Sequence, residues 1–277
     1  MQIHTKTLLA LWLALSAWIM PAGAAEPAGP DLMLYPTRVV LDRAVRSAQV
    51  DLVNTSTEPA TYRLRMVDRR MDADGQLLPE IEGADGSSAA QMLRFSPRQV
   101  VLAPGAAQTV RIMLRKPPDL PAGEYRSHLL FERVASQRPP ERATGLEPDL
   151  QIQLVALVSV SIPVIVRQGD TQAHVAIAGP ALHRQASGDG VLSFALQREG
   201  NRSVFGDLVA TWVAATGTEA RIGEARGVAV YTPNPERRVR LAVTMPPARG
   251  PGFVKIEFKD RAADGGTGDA QARMTVQ

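Results

Sequence analysis

Side chains that could carry out catalysis are few in this chain, and their spacing does not suit catalysis. The chain has no cysteine, which excludes thiolate nucleophiles and cysteine-ligated metal centres. The histidines beyond the N-terminal segment, His128, His174 and His183, lack the paired spacing with carboxylates that suggests a metal site. Ser127 and His128 are adjacent, and adjacent side chains of a strand point to opposite faces, which is poor geometry for a nucleophile and its base. We predict a protein that is not an enzyme and that needs no cofactor or metal.

The pattern with the most chemical meaning is a binding pattern, in residues 150–166 (LQIQLVALVSVSIPVIV). Every second residue from Leu150 to Val166 is apolar, which is typical of a β-strand with one apolar face. A strand of this length would extend about 55 Å, whereas an ordinary strand extends roughly 17–20 Å. A single β-sandwich of ordinary size cannot cover so long a face. Either the strand bends and changes partners, or another protein completes part of it.

The N-terminal residues 1–25 are predicted to be a cleavable signal peptide. Lys6 gives a positive start, residues 8–20 are almost wholly apolar, and small residues close the segment. The apolar run is short for a membrane span, so we expect export without stable membrane insertion. A polar leader, residues 26–31, follows the signal peptide.

Composition predicts a globular chain of about two domains that does not bind nucleic acid. The chain has 277 residues, of which 45% are hydrophobic and only 5% aromatic, so its cores should be mainly aliphatic. The net charge is only +3, and the basic residues are interspersed with acidic ones, unlike a nucleic-acid-binding surface. Without disulfides, stability must come from packing.

Short segments with strand-like patterns, separated by turn residues, fill the first half of the chain. Residues 76–81 could add a short strand. Pro97 and Pro163 lie inside strand patterns, and a proline cannot donate to a ladder, so each should lie at an edge or a bulge. The predicted strands are 32–42, 47–53, 60–69, 91–102, 108–115, 125–134 and 150–166.

A second set of strands begins after a hinge at residues 168–170. Seven strands in this second half match the strand number of an immunoglobulin-like sandwich. The fold class is therefore all-β, with two immunoglobulin-like β-sandwich domains in tandem, at 32–167 and 171–277. The predicted strands of the second domain are 172–178, 190–197, 204–214, 220–231, 236–245, 252–258 and 271–276.

An ordered set of residues resembles the PapD-like periplasmic pilus chaperones. The resemblance covers most of 32–167 and is weaker over 171–277, where it comprises Gly200-Asn201, Gly206 and Tyr231-Thr232-Pro233 before Arg238. In the first domain the set is Tyr35-Pro36-Thr37-Arg38-Val39-Val40, Asn54, Ser96-Pro97-Arg98, Leu102-Ala103-Pro104-Gly105, Gln108, Arg111 and Gly123-Glu124-Tyr125-Arg126-Ser127-His128.

The resemblance implies a function in pilus assembly. In that family two immunoglobulin-like domains, set in an L shape, bind a pilus or fimbrial subunit that lacks its final strand. The last strand of the first domain fills the gap, which is strand addition to an open sheet. The complex then moves to an outer-membrane usher. The implied partners are the subunits and the usher, and the resemblance also allows a self-capping homodimer. The implied location is the periplasm.

The donor strand implied by the resemblance lies in the long alternating segment. Leu154, Ala156 and Val158 match the family's donor side chains, and Leu150 and Ile152 extend the row. Each large aliphatic side chain would contribute about 1.5–3 kcal/mol on burial, before the costs of ordering and association. The alternative is that the whole row is the core of its own domain.

Arg38 matches the family's arginine that holds the subunit's C-terminal carboxylate between the domains. A guanidinium suits this role because it is planar, permanently charged and able to bind a carboxylate bidentately. The family's second anchor, a lysine, falls on Pro163 here, which cannot bind a carboxylate. Arg126 and His128, on the neighbouring predicted strand, are candidate substitutes. Without the resemblance, Arg38 would be a solvated surface arginine.

Arg167 matches an arginine that the family uses in an inter-domain salt bridge. Glu124 and Asp260 are its candidate acidic partners. The alternative is a surface arginine at a hinge, because exposed ion pairs contribute little.

Two other functions are consistent with a secreted β-sandwich. A structural pilin or adhesin subunit should carry an alternating donor extension at its mature N-terminus, and residues 26–31 (EPAGPD) have no such pattern. A periplasmic ligand-binding sandwich should expose a cluster of Trp or Tyr, and the chain has only three Trp.

Overall fold

The computed structural model describes residues 31–81, 86–135, 158–184, 189–246, 251–261 and 268–276. Over these ranges the chain is almost wholly β-structure, as the sequence predicts, with a single 3₁₀ turn at Ala90–Met92. None of the described segments forms a helix that is long and apolar enough to cross a membrane. The same segments hold no group of three or more His, Asp or Glu placed to bind a metal ion.

The first sandwich packs two sheets over one aliphatic core. One sheet has the strand order β1-β3-β8-β6, and the other has the order β2-β10-β9-β4-β5, with β7 paired to β4. Its strands are β1 (Leu32–Tyr35), β2 (Val39–Leu41), β3 (Ser47–Asn54), β4 (Ala60–Met71), β5 (Leu77–Ile81), β6 (Leu93–Ser96), β7 (Gln99–Leu102), β8 (Ala107–Leu114), β9 (Gly123–Val134) and β10 (Ser159–Gln168).

Two of the predicted strands are each two strands. The segment 32–42 divides into β1 and β2, which pair in different sheets, and the segment 91–102 divides into β6 and β7 in the same way. Pro36 and Pro97 lie at the two crossings, each after a cis peptide bond. Proline cannot donate to a ladder, so pairing stops there, and the apolar alternation resumes beyond it because both sheets face the same core.

The second sandwich follows a linker at 169–172. Its sheets have the orders β11-β12-β15 and β14-β13-β16-β17. Its core includes Trp212, which is 4% exposed and is the only tryptophan after residue 25. Its strands are β11 (Ala173–Arg184), β12 (Asp189–Gly200), β13 (Val204–Ala214), β14 (Glu219–Val230), β15 (Glu236–Thr244), β16 (Gly252–Asp260) and β17 (Ala270–Val276).

A third, small apolar cluster lies where the two sandwiches meet. It consists of Met71 and Ile165 from the first sandwich and Ala229 and Tyr231 from the second. Ile165 points away from the core of its own domain, because Val164 and Val166, its neighbours along β10, point into that core. The outer face of the β10-β9-β4 sheet therefore packs against the second sandwich.

Candidate functional site

The apolar row of β10 leaves the core as it runs back toward the N-terminus. Val164 and Val166 are fully buried and Ile162 is 3% exposed. Val160, next on the same face, is only partly buried, and Val158 is 62% exposed. The domain therefore encloses the C-terminal part of this row and leaves Val158 in solvent.

The same half of β10 has an open backbone edge. Strand β9 pairs with β10 along its whole length, from Ser159 to Gln168. On the other side β2 pairs in parallel only with residues 164–166. Among the described residues, Ser159 to Pro163 therefore have a partner on one side alone. Pro163 lies in this half, in keeping with its missing N–H.

Four of the predicted donor residues, Leu150, Ile152, Leu154 and Ala156, lie outside the described residues. Val158 is the one that the structure describes, and its side chain is exposed. The structure therefore describes the C-terminal end of the row, where Ile162, Val164 and Val166 are buried in the core.

Arg38, between β1 and β2, lies at the junction and contacts the second sandwich. Its guanidinium donates to Ser203 Oγ at 3.1 Å and to Tyr231 Oη at 3.4 Å. The guanidinium carbon lies 4.8 Å from the ring centroid of Phe205 and 5.5 Å from that of Tyr231. Burial lowers the pKa of Arg38, because the charged form has lost water and the nearby Tyr231 and Glu124 offset only part of that loss.

Arg126 contacts the ring of the same tyrosine, Tyr231. Its guanidinium carbon is 4.0 Å from the Tyr231 ring centroid, a favourable cation–π distance. Its nitrogens donate to the carbonyl oxygens of Thr232 at 3.3 Å and of Arg69 at 3.2 Å. Burial lowers the pKa of Arg126 as well. The Nε atoms of Arg126 and Arg69 are both buried without a hydrogen-bond partner.

His128 is fully buried beneath these arginines. Its ring meets that of Tyr231 edge-on at 6.4 Å, and both ring nitrogens lack a hydrogen-bond partner. Burial and, to a smaller extent, the charges of Arg126, Arg69 and Arg38 together lower the pKa of His128 to about 3. The imidazole is therefore neutral at pH 7, and it adds no charge to the site.

The three guanidiniums of Arg38, Arg69 and Arg126, which we call the junction arginines, have no ionic partner in the described parts of the chain. Glu124, a carboxylate within electrostatic range of Arg38 and Arg126, is already bonded to Arg167. Buried charges in proteins are normally paired, so this excess of positive charge favours an anion from outside the chain.

The predicted inter-domain residues form two ion pairs. Arg167 Nε donates to Glu124 Oε2 at 3.3 Å, across the β10–β9 ladder, and the same oxygen accepts the N–H of Ser203 at 3.0 Å. Glu124 thereby links the two sandwiches. Asp260 accepts from Arg202 at 3.1 Å inside the second domain, and both side chains are almost fully buried. The sequence analysis named Asp260 as a candidate partner of Arg167. It did not identify Arg202, the residue with which Asp260 forms this ion pair.

The tip of the β4–β5 hairpin also contacts the second sandwich. The N–H of Arg238 donates to the carbonyl of Ala73 at 2.7 Å, and Asn234 Nδ2 donates to the carbonyl of Met71 at 2.8 Å. Gly75 packs on Arg237 so closely that a Cβ there would lie 2.0 Å from Arg237 Nε. These contacts hold the turn that carries Tyr231 against the first sandwich.

Sequence reasoning did not find Arg69, Arg202, Ser203 or Phe205. Arg69 is one of several arginines on β4, and nothing in its spacing distinguishes it from Arg70. Phe205 and Ser203 act across the domain junction, which a pattern along one strand cannot show. Tyr231 was recognised only as part of a family-like motif, and its role as the platform between two guanidiniums comes from the structure.

No protein-family model matches this chain, and no curated protein matches it. Solved structures of fimbrial chaperones are similar to it. The class 5 fimbriae chaperone CfaA has 15% identity and a TM-score of 0.43, over 89% of this chain and 100% of its own. A chaperone–tip adhesin complex of CFA/I fimbriae biogenesis has 15% identity and a TM-score of 0.44, over 89% and 98%. The CsuC–CsuE chaperone–tip adhesin subunit complex of Acinetobacter baumannii has 14% identity and a TM-score of 0.42, over 87% and 97%.

Proposed function

We propose that this chain is a periplasmic chaperone that binds pilus or fimbrial subunits by donor-strand complementation and delivers them to an outer-membrane usher. The observation that carries the proposal is the half-paired strand β10, whose apolar row leaves the core at Val158. A strand with one free edge and an exposed apolar face can complete another protein's sheet. Periplasmic location and usher delivery follow from the predicted signal peptide and the sequence resemblance.

The open edge supplies two kinds of interaction. Backbone groups of residues 159–163 can hydrogen bond to a subunit strand laid along the free side. Alternate side chains, from Val158 back toward Leu150, then enter the subunit's own core. Main-chain bonds supply affinity that does not depend on sequence, whereas the size of the apolar side chains selects the subunit.

The junction arginines supply the anchor. Arg38 and Arg126 flank Tyr231, and their present acceptors are neutral oxygens. The C-terminal carboxylate of a subunit would replace these with charge-assisted bonds, which are roughly twice as strong. His128 is uncharged at the floor, so we assign it a packing role beneath the arginines and assign the second anchor to Arg126.

The test is co-expression with a candidate subunit from the gene's neighbourhood, followed by purification of the complex from the periplasm. Val158→Asp should greatly reduce the yield of complex, because it places a charge in the apolar row. Met113→Asp is the matched control, since Met113 is 48% exposed on the other sheet of the same sandwich. Equal yields from both variants would overturn the strand-donor proposal.

A second arm tests the carboxylate anchor. Arg38→Gln and Arg126→Gln should each weaken the complex by roughly 30-fold or more, the usual result of removing one partner of a buried charged pair. Adding a Gly-Ser tail to the subunit moves its carboxylate and should cause a similar loss with wild-type chaperone. If the tail has no effect while Arg38→Gln does, the arginine binds something other than the C-terminus.

A further inference from the structure

A cationic cavity lies at the start of the linker between the sandwiches. Its volume is about 430 Å³, within the range of roughly 300–1,000 Å³ that is usual for ligand sites. We call it the linker pocket. Its lining residues come from the β2–β3 turn, from the end of β8 and from the end of β10: Asp42, Arg43, Arg46, Lys116, Gln168 and Gly169.

The linker pocket carries three cations and one carboxylate. Arg43 and Arg46 are exposed, and neither guanidinium makes a hydrogen bond or ion pair with any residue that the structure describes. Asp42 is committed to its own turn, because its Oδ1 accepts the N–H groups of Ala44 and Val45, each at 2.7 Å. The excess positive charge is therefore not neutralised from within.

Lys116 forms the inner wall of the linker pocket and fastens the end of β10. Its ammonium donates to the carbonyl of Arg167 at 2.6 Å and to Gln168 Oε1 at 3.0 Å. Both acceptors are neutral, and one of its three protons remains for a ligand. Burial lowers the pKa of Lys116; Asp42 opposes this and Arg46 adds to it, which places all three groups within electrostatic range of one another.

We propose that the linker pocket binds an acidic peptide segment of a protein partner. Two guanidinium forks and an ammonium suit carboxylates, which arginine can bind bidentately. Asp42 and Gln168 also line the pocket and present acceptor oxygens to which the backbone N–H groups of a peptide can donate. A bound segment would contact the linker and the residue that ends β10. The proposal does not depend on the function proposed above.

The test measures binding of a fluorescein-labelled tetraglutamate peptide to residues 26–277 by fluorescence anisotropy, with a tetraglutamine peptide as the neutral probe. Arg43→Gln/Arg46→Gln should weaken tetraglutamate binding roughly tenfold, and Arg43→Lys/Arg46→Lys should restore most of it. The charge-matched control is Arg63→Gln/Arg111→Gln, at two exposed arginines on other strands of the same sandwich. Both glutamine variants replace exposed residues, so both should fold.

Equal loss in the two glutamine variants would mean that the peptide follows net charge alone and would overturn the proposal. Absence of tetraglutamate binding would also overturn it. Inorganic phosphate should compete only weakly; competition at the same concentration as the peptide would show an oxyanion site without peptide preference, and so contradict the assignment. Subunit binding in the co-expression test should be unchanged by Arg43→Gln/Arg46→Gln, which separates this site from the junction arginines.

Discussion

Two groups of buried or half-buried arginines meet at the domain junction, and they differ in what neutralises them. Arg167 and Arg202 each have a carboxylate of this chain, Glu124 and Asp260 respectively, at 3.1–3.3 Å. The junction arginines have only neutral acceptors and aromatic faces among the described residues. The charges of the first group are neutralised by ion pairs within the chain, whereas the charges of the second group remain available to an anion from outside the chain.

The difference separates a structural role from a binding role. A buried pair is costly to break from one side, because the remaining charge has neither water nor a partner. An unpaired guanidinium already bears that desolvation cost, so removing it should cost the fold little and cost a bound anion much. The predictions below test this contrast in stability and in pH dependence.

Breaking a paired arginine should have the largest effect. Asp260→Asn leaves Arg202, which is fully buried, without its carboxylate, and should lower the free energy of unfolding by about 3–5 kcal/mol. Fluorescence of Trp212 during urea unfolding reports this, because it is the only tryptophan after residue 25 and lies in the same domain. Glu224→Gln is the control, because its partners Arg221 and Arg226 are exposed, and it should cost less than about 1 kcal/mol. Equal losses would remove the distinction.

Acid should destabilise the junction through His128. The pKa of His128 is about 3 in the folded protein and 6.5 for an unperturbed histidine, so between these pH values the unfolded state binds more protons. Stability from this group is therefore full above pH 6.5 and falls as the pH drops, with a slope of up to about 1.4 kcal/mol per pH unit. His128→Leu should flatten the melting profile between pH 7 and pH 4.5 relative to wild type, whereas His174→Leu, at an exposed position, should not. Parallel profiles for wild type and His128→Leu would contradict the prediction.

Removing an unpaired arginine should have the smallest effect on the fold. Arg38→Met should leave the free energy of unfolding within about 1 kcal/mol of wild type, because lost cation–π and hydrogen-bond contacts are offset by removal of an uncompensated charge. Arg167→Met is the matched substitution in the paired group and should cost about 3–5 kcal/mol, since it leaves Glu124 unpaired. Circular dichroism melts of the two variants make the comparison. A large loss from Arg38→Met would make this arginine structural and weaken its assignment to a subunit carboxylate.

The fold was largely predictable from sequence because strand periodicity is local. Alternation and turn residues located most strands, and the proline rule put Pro163 at an edge. The divisions at Pro36 and Pro97 were missed because a strand that crosses between sheets keeps the same alternation toward a shared core. The site was less predictable. Arg38, Arg126 and His128 were named from a resemblance, and Arg69 and Arg202 lacked any local signal.

By itself the sequence determined the all-β class, the two-sandwich organisation and the apolar row that ends in β10, since each depends on residues close together along the chain. Only the tertiary structure decided which arginines are neutralised, because Glu124, Ser203 and Asp260 reach their partners across strands and across the domain junction. It also decided that β2 covers three residues of β10 and leaves Ser159 to Pro163 with one partner strand. Pairing and burial depend on contacts between residues distant in sequence, and a one-dimensional pattern does not contain them.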